Sequence, residues 1–166
     1  MTSAVHVIEA LARTGATVAT AESLTGGLVA AALTAVPGAS VVVRGGVVVY
    51  ATDLKHELAG VPEEMLLRDG PVAASTAAAM AVGVQRKCAA TYGVATTGVA
   101  GPDPQDGHPP GTLYVAVAGP AGTRVESVTE LCGDRAAIRD AAVQRALDLL
   151  AVAVAEARES PSGSGR

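Results

Sequence analysis

A strand-like segment that runs directly into a helix-like segment stands near the start of this chain. Residues 17–20 read Thr-Val-Ala-Thr, and residues 28–36 are Ala, Leu and Val with a single Thr. A strand that leads into a helix is the building unit of α/β folds. The turn between them, Ala-Glu-Ser-Leu-Thr-Gly-Gly at 21–27, leaves backbone N–H groups at a helix start, where they can hold an anion or a developing oxyanion.

The remainder of the chain repeats this alternation and then adds a hairpin. The pattern predicts an α/β fold, a three-layer α/β/α sandwich whose mixed β-sheet has helices on both faces. We expect residues 1–159 to form a single domain and the Pro/Ser/Gly segment 160–166 to be a disordered tail. The predicted strands are 17–21, 41–50, 92–97, 112–118 and 124–131; the predicted helices are 3–13, 25–36, 53–58, 62–67, 73–90 and 134–159.

Local signals predict further details of these elements. The pair Gly45-Gly46 inside the second strand indicates a bulge or a hairpin. Ser75 or Thr76 is a candidate cap for the helix at 73–90, and Asp134 is a good N-cap for the last helix.

Composition excludes several function classes. The sequence is 49% hydrophobic and only 2% aromatic, so the core must consist of Ala, Val and Leu. The formal net charge is −4, and neither a basic run nor a set of aromatic rings is present, which disfavours nucleic-acid binding. Cys88 and Cys132 lie far apart and three histidines lack ligand spacing, so we expect neither a metal site nor a cofactor.

The chain carries no predicted targeting or membrane signal. Its first residues lack the basic region and long apolar stretch of a signal peptide. The apolar run from Leu28 is interrupted at Pro37-Gly38 and is too short to span a bilayer. We therefore expect a cytoplasmic protein without a membrane partner.

Ser23 and Lys55 are the candidate catalytic pair. Ser23 at a strand-to-helix turn is either a helix cap or a nucleophile. A nucleophilic serine needs a base, and a lysine can serve when burial lowers its pKa. Lys55 follows directly on the predicted strand that ends near Tyr50, although a lone lysine is commonly a solvated surface charge.

Two further segments are candidate ligand-binding elements. The glycine-containing turn Thr97-Gly98-Val99-Ala100-Gly101 follows a strand and would let a ligand approach the backbone, or it is an ordinary turn. Because Ser23, Tyr50 and Thr97-Gly98 each follow a predicted strand, they could converge on one mouth of the sheet.

Arg135 and Arg139 form the second candidate. They are four residues apart, so they share one face of the last helix. Their guanidinium groups could bind a phosphate or a carboxylate, or they could pair with Asp134 and Asp140.

These segments, in this order, resemble one known family. The chain is similar to the C-terminal domain of the competence/damage-inducible protein CinA, a family that includes the stand-alone PncC amidases. The resemblance covers about residues 3–157. It rests on Ala-Glu-Ser-x-Thr-Gly-Gly at 21–27, Tyr50 with Lys-His-Glu-Leu at 55–58, Thr-Gly-Val-Ala-Gly-Pro at 97–102, Gly-Thr-Leu-Tyr-Val-Ala at 111–116 and Gly-Asp-Arg-x-x-Ile-Arg at 133–139.

The resemblance implies an amidohydrolase that converts nicotinamide mononucleotide to nicotinate mononucleotide and ammonia without a metal. It implies Ser23 as nucleophile, Lys55 as base and Tyr50 as an assisting group. Residues expected to hold the nucleotide, with the amides of Gly26 and Gly27 receiving either the phosphate or the oxyanion, are Thr25, Gly26, Gly27, Thr97, Gly98, Gly101, Arg135 and Arg139.

The resemblance has departures and alternatives. The family often carries Asn at the position of Thr52, Gly-Gly in place of Asp103-Pro104, and a Lys near position 108, which bears on the contacts with the ligand. The alternatives are a non-catalytic nucleotide-binding or assembly module of the same fold, and a serine amidohydrolase for another small amide. We expect a homo-oligomer, a dimer or larger, as is common in the family.

Overall fold

The computed structural model describes residues 1–159, so the prediction for the tail at 160–166 lies outside the described residues. Five strands and six α-helices make up this part of the chain, with a short 3-10 helix at Ala39–Val41. The elements in chain order are α1 Ala4–Thr14, β1 Val18–Glu22, α2 Leu28–Thr34, β2 Val43–Val48, α3 Thr52–Glu57, α4 Glu63–Asp69, α5 Ala74–Lys87, β3 Tyr92–Gly98, β4 Leu113–Gly119, β5 Gly122–Val128 and α6 Arg135–Glu159.

The strands form one mixed sheet in the order β2-β1-β3-β4-β5. β1 is parallel to both β2 and β3, whereas β4 and β5 add antiparallel neighbours on the other side of β3. The chain leaves β1 toward β2 on one side and later returns to β3 on the other. This makes the carboxyl end of β1 a topological switch point, the place where open α/β sheets bind ligands.

Two apolar cores cover the two faces of the sheet. One core joins α1, α2 and α6 to the sheet through residues such as Leu11, Leu33 and Leu150. The other lies beneath α5 and the segments around α3 and α4, and contains Met80, Val84 and Val61. The predicted α/β/α sandwich is therefore confirmed.

Small side chains let α5 approach its neighbours closely, as the aromatic-poor composition requires. A Cβ at Gly83 would lie 1.6 Å from the carbonyl oxygen of Ala59, and a Cβ at Gly93 in β3 would lie 2.0 Å from that of Ala81. Neither backbone oxygen can move aside cheaply, so glycine is required at both positions.

Several local predictions hold and others are wrong. The pairing of β1 with β2 steps from Val43 to Gly45, which confirms a bulge. Asp134 accepts the Ala137 N–H at 2.9 Å and caps α6, as predicted. Helix α2 begins at Leu28 rather than at 25, because residues 24–27 form a turn with Gly26 and Gly27 at positive φ.

The caps predicted for α5 are also wrong. The N-cap of α5 is Ala73, without a side-chain bond. The Ser75 hydroxyl instead donates to Asp69 at 2.6 Å, and the Thr76 hydroxyl donates to the carbonyl of Gly70 at 2.7 Å. Both hydroxyls thus tie α5 back to the end of α4.

Membrane-spanning helices and clustered metal ligands were sought along residues 1–159. Over this range no helix combines the length and the apolar character needed to cross a bilayer. The same residues contain no group of three or more His, Cys, Asp or Glu side chains arranged to hold a metal ion. Cys88 is half-buried and Cys132 is exposed, and both are free thiols.

Candidate active site

A polar cleft with a cavity volume of about 70 Å³ opens at the carboxyl ends of the three parallel strands. The strands are aligned so that the residues following β1, β2 and β3 meet there. The cleft brings together most of the predicted site residues; those that line it are Ser23, Tyr50, Lys55, Thr97, Gly98, Gly101 and Arg135.

Ser23 and Lys55 are in direct contact inside the cleft. The Nζ atom of Lys55 lies 3.1 Å from the Oγ atom of Ser23 and 2.9 Å from the carbonyl oxygen of Val49. Ser23 is 8% exposed and Lys55 is 2% exposed. The Ser23 side chain is therefore not a helix cap, and Lys55 is not a solvated surface charge.

Burial makes the Lys55 amine far less basic than an ordinary lysine. Desolvation lowers its pKa to about 8, partly offset by the nearby carboxylate of Asp106, which raises it. A neutral amine keeps one lone pair for the Ser23 hydroxyl while it donates to Val49. The pair thus has the geometry and the acidity of a nucleophile with its general base.

Tyr50 and Arg135 form a bridge across the mouth of the cleft. The Arg135 guanidinium donates from Nη2 to the Tyr50 hydroxyl and from Nη1 to the Gly101 carbonyl, each at 2.8 Å. Arg135 is exposed and opens α6, while the Tyr50 side chain is 58% exposed. Three guanidinium N–H groups stay free for a ligand, and the Tyr50 hydroxyl bonds Arg135 rather than Ser23 or Lys55.

Thr97 and Gly98 shape the floor of the cleft. Thr97 is 1% exposed, and its hydroxyl donates to the Pro71 carbonyl at 2.6 Å, which fixes the loop before α5. A Cβ at Gly98 would lie 2.3 Å from the Thr112 carbonyl oxygen, so glycine is needed there for close packing of the backbone. The Thr97 hydroxyl is consequently used within the protein.

The expectation that Gly26 and Gly27 offer free amides to an anion is wrong. The Gly26 N–H donates to the Ser23 carbonyl at 3.0 Å, and the Gly27 N–H donates to the Glu22 carboxylate at 3.1 Å. The Thr25 hydroxyl also donates to Glu22, at 2.7 Å. The anion at the start of α2 is the protein's own glutamate, and none of the three residues lines the cleft.

Arg139 likewise lies outside the cleft. Its Nε donates to the Leu24 carbonyl at 3.0 Å and its Nη2 donates to the Thr25 carbonyl at 3.1 Å. Arg135 and Arg139 share a helix face, but they lie one helical turn apart. Arg135 therefore contacts the mouth of the cleft, whereas Arg139 contacts the back of the turn that follows Ser23. The prediction that both arginines bind the same ligand is therefore not supported.

No motif in the sequence marked Glu22 as part of the site. Glu22 is 1% exposed in a strand that is buried at every position, and a charged residue in such a strand needs dedicated partners. That mismatch was a readable signal. Among the rim residues, Thr52 begins α3, whereas Asp103 and Gln105 lie on an exposed loop, and no sequence pattern marks Gln105.

Comparisons with known proteins assign the chain to a family. The sequence profile of the CinA C-terminal domain matches residues 1–154. A CinA-like protein from Frankia casuarinae is 55% identical over 144 residues, 87% of this chain and 33% of that protein. A putative competence-damage inducible protein from Geobacillus kaustophilus is 46% identical over 132 residues, 80% of this chain and 32% of that protein. The chain thus spans about a third of the length of these relatives.

Solved structures agree with this assignment. The competence/damage inducible protein CihA from Agrobacterium tumefaciens superposes with a TM-score of 0.86 at 37% identity, covering 92% of this chain and 93% of that one. A CinA superfamily protein from Klebsiella pneumoniae gives a TM-score of 0.88 at 30% identity, covering 92% and 96%. On the strength of the matched profile, the identities and the shared fold, this chain belongs to the CinA C-terminal domain family.

Proposed function

We propose that this domain is an amidohydrolase that converts nicotinamide mononucleotide to nicotinate mononucleotide and ammonia. The observation that carries the proposal is the buried contact between Ser23 and Lys55, with the Lys55 pKa lowered to about 8. An adapter or binding module gains nothing from a desolvated lysine amine aimed at a serine hydroxyl, because burying the amine costs stability.

The chemistry follows from the two side chains. The neutral Lys55 amine takes the Ser23 proton as Oγ attacks the carboxamide carbon, which forms a C–O bond and a tetrahedral oxyanion. The resulting ammonium returns the proton to the nitrogen as the C–N bond breaks, and ammonia leaves. Water, activated by the same amine, then hydrolyses the ester on Ser23 and releases the carboxylate.

Leu24 supplies the best placed oxyanion donor. It follows the nucleophile and lines the cleft, and among residues 1–159 its backbone N–H has no protein acceptor. An N–H group directly after the nucleophile is a common donor to such an oxyanion. This assignment replaces the amides of Gly26 and Gly27, whose donors are occupied.

The rim of the cleft suits a nucleotide ligand. The free N–H groups of Arg135 can meet a phosphate. The resemblance of the site segments to the PncC-type amidases makes the mononucleotide the first substrate to test. Another small amide would use the same Ser23 and Lys55 chemistry and differ only at this rim.

The test is ammonia release from nicotinamide mononucleotide by the purified protein. We expect turnover by the wild type and a loss of at least about 100-fold in Ser23→Ala and Lys55→Ala. Ser40→Ala and Lys87→Ala, which change exposed residues outside the cleft, are the matched controls and should keep wild-type rates. Unchanged release in Ser23→Ala would refute the mechanism, and no release by the wild type would refute the substrate.

A further inference from the structure

Glu22 is a buried carboxylate directly behind the nucleophile, and the proposed mechanism does not use it. It ends β1, precedes Ser23 in the chain and is 1% exposed. Its two oxygens accept four hydrogen bonds. The donors, with distances to the carboxylate, are the Thr25 hydroxyl at 2.7 Å and the backbone N–H groups of Gly27 at 3.1 Å, Val29 at 3.0 Å and Ala30 at 2.8 Å.

These donors belong to the turn that carries Ser23 and to the first turn of α2. A helix start needs acceptors for its unpaired N–H groups, and here one side chain supplies them. Thr25 donates its single proton to Glu22, so the 2.7 Å contact between Thr25 and Thr96 is donated by Thr96. The turn is thereby tied through Glu22 and Thr96 to both β1 and β3.

Arg139 supplies hydrogen-bond donors to the carbonyl groups of the same turn. Its guanidinium donates to the carbonyls of Leu24 and Thr25, while Glu22 accepts from N–H groups on the other side of the segment. A Cβ at Gly26 would lie 3.2 Å from the Arg139 Nη2 atom, and φ at Gly26 is +58°. The arginine therefore lies tight against the outside of the turn.

We infer that Glu22 is a positioning residue for Ser23, with Arg139 as its counterpart. Together they fix the backbone from Leu24 to Gly27, so that Ser23 Oγ stays beside Lys55 Nζ and the Leu24 N–H stays free. This inference rests on the proposed amide hydrolysis, in which reaction rate depends on that alignment.

Glu22→Gln is the sharpest variant because it keeps the shape of the side chain and replaces only one carboxylate oxygen by an NH₂ group. The amide has one acceptor oxygen, and its NH₂ group would face at least the Ala30 N–H, which the carboxylate Oε1 atom accepts. We expect kcat for nicotinamide mononucleotide to fall about 100-fold while KM changes less than about threefold.

Arg139→Lys is the second variant, for use if Glu22→Gln does not fold. A lysine keeps the charge but loses the fork that reaches two carbonyls at once. We expect kcat to fall about tenfold with KM unchanged.

Val84→Ala is the control for destabilisation alone. Val84 is buried in the core on the other face of the sheet, so its loss lowers stability without touching the turn. At a temperature well below its unfolding transition, this variant should keep the wild-type kcat.

Two measurements separate this inference from the proposed function. A folded Glu22→Gln protein with wild-type kcat would overturn the positioning role, whereas a wild type that releases no ammonia would overturn the proposed function. In the second case, crystal structures decide the positioning role. We expect the distance from Ser23 Oγ to Lys55 Nζ to exceed roughly 3.5 Å in Glu22→Gln; an unchanged distance would overturn the inference.

Discussion

Glu22 and Lys55 lie in two segments that flank Ser23, and among residues 1–157, whose burial the structure describes, they are the only fully buried charged side chains. The segment behind Ser23 surrounds Glu22 with four donors. In the segment after β2, the Lys55 amine has only two hydrogen-bond partners, the Ser23 hydroxyl and the Val49 carbonyl. One carboxylate is fully satisfied, and one amine is incompletely compensated for its loss of water.

The difference separates structural from chemical use of a buried charge. A carboxylate with a complete set of donors stabilises the backbone around it, and removing it leaves those donors unpaired. Burial of an amine with few acceptors disfavours its charged form. The pKa of the amine then falls toward neutral pH, where the amine can act as a general base.

The largest expected effect is the loss of catalysis when Lys55, the incompletely compensated buried charge, is replaced. Lys55→Met keeps the length of the side chain but removes the base, so kcat/KM for nicotinamide mononucleotide should fall about 1,000-fold. Steady-state ammonia assays measure this loss, and Lys87→Met at an exposed position is the control. Retention of a tenth or more of the activity would contradict the role of Lys55.

Replacing Glu22, the buried charge with a full set of donors, should mainly lower the stability of the fold. Glu22→Leu fills similar space but leaves the backbone N–H groups of three residues without an acceptor and removes one of the two partners of the Thr25 hydroxyl. We expect the free energy of unfolding to fall by about 3 kcal/mol or more. Urea unfolding at pH 7 measures it. A loss below about 1 kcal/mol would show that the network around Glu22 adds little to stability.

The stability contrast should also depend on pH. The Lys55 pKa is lowered from 10.5 to about 8 in the folded protein, so unfolding takes up a proton between these values. The wild type should therefore gain stability relative to Lys55→Met as pH rises from about 8 to 10.5, by a few kcal/mol in total. Below pH 8 the cost of burying the charge is fully present. Urea unfolding of both proteins at several pH values measures this difference in the free energy of unfolding. A difference that does not change with pH would contradict the lowered pKa.

The smallest effect concerns the one carboxylate that raises the Lys55 pKa. In the wild type, kcat/KM should rise with pH through an apparent pKa of about 8, because only the neutral amine is a base. Asp106→Asn removes the opposing charge and should move this limb to lower pH. Asp106 has φ of +50°, which Asn tolerates well, so the loop should be kept.

Glu9→Gln is the matched control for that shift. It removes the same charge from an exposed position on α1 and should leave the limb in place. A limb that moves to higher pH in Asp106→Asn would contradict the electrostatic explanation.

The sequence predicts the fold and the meeting of Ser23, Tyr50, Lys55 and Thr97 for the same reason. Apolar runs bounded by Gly and Pro mark the strands, and parallel strands bring their carboxyl ends to one edge. The contact between Ser23 and Lys55 then depends on how α3 follows β2, which the short connection largely determines.

The acceptors of the Ser23 turn could not be predicted in this way. The sequence reveals that a helix start has unpaired N–H groups, but not whether a ligand or the protein's own side chain fills them. Here Glu22 does, because β1 delivers its side chain directly beneath α2. Similarly, the spacing of Arg135 and Arg139 predicts a shared helix face but not that α6 runs from the cleft to the back of the turn.

The scarcity of aromatic residues has a practical consequence for observing this protein in solution. The chain has no Trp or Phe and three Tyr. Tyr92 is buried at 3% exposed and Tyr114 is half-buried, whereas Tyr50 is exposed at the mouth of the cleft. Phenolic fluorescence and absorbance therefore come from only three rings, and the difference between the wild type and Tyr50→Phe would give the signal of the ring at the mouth of the cleft.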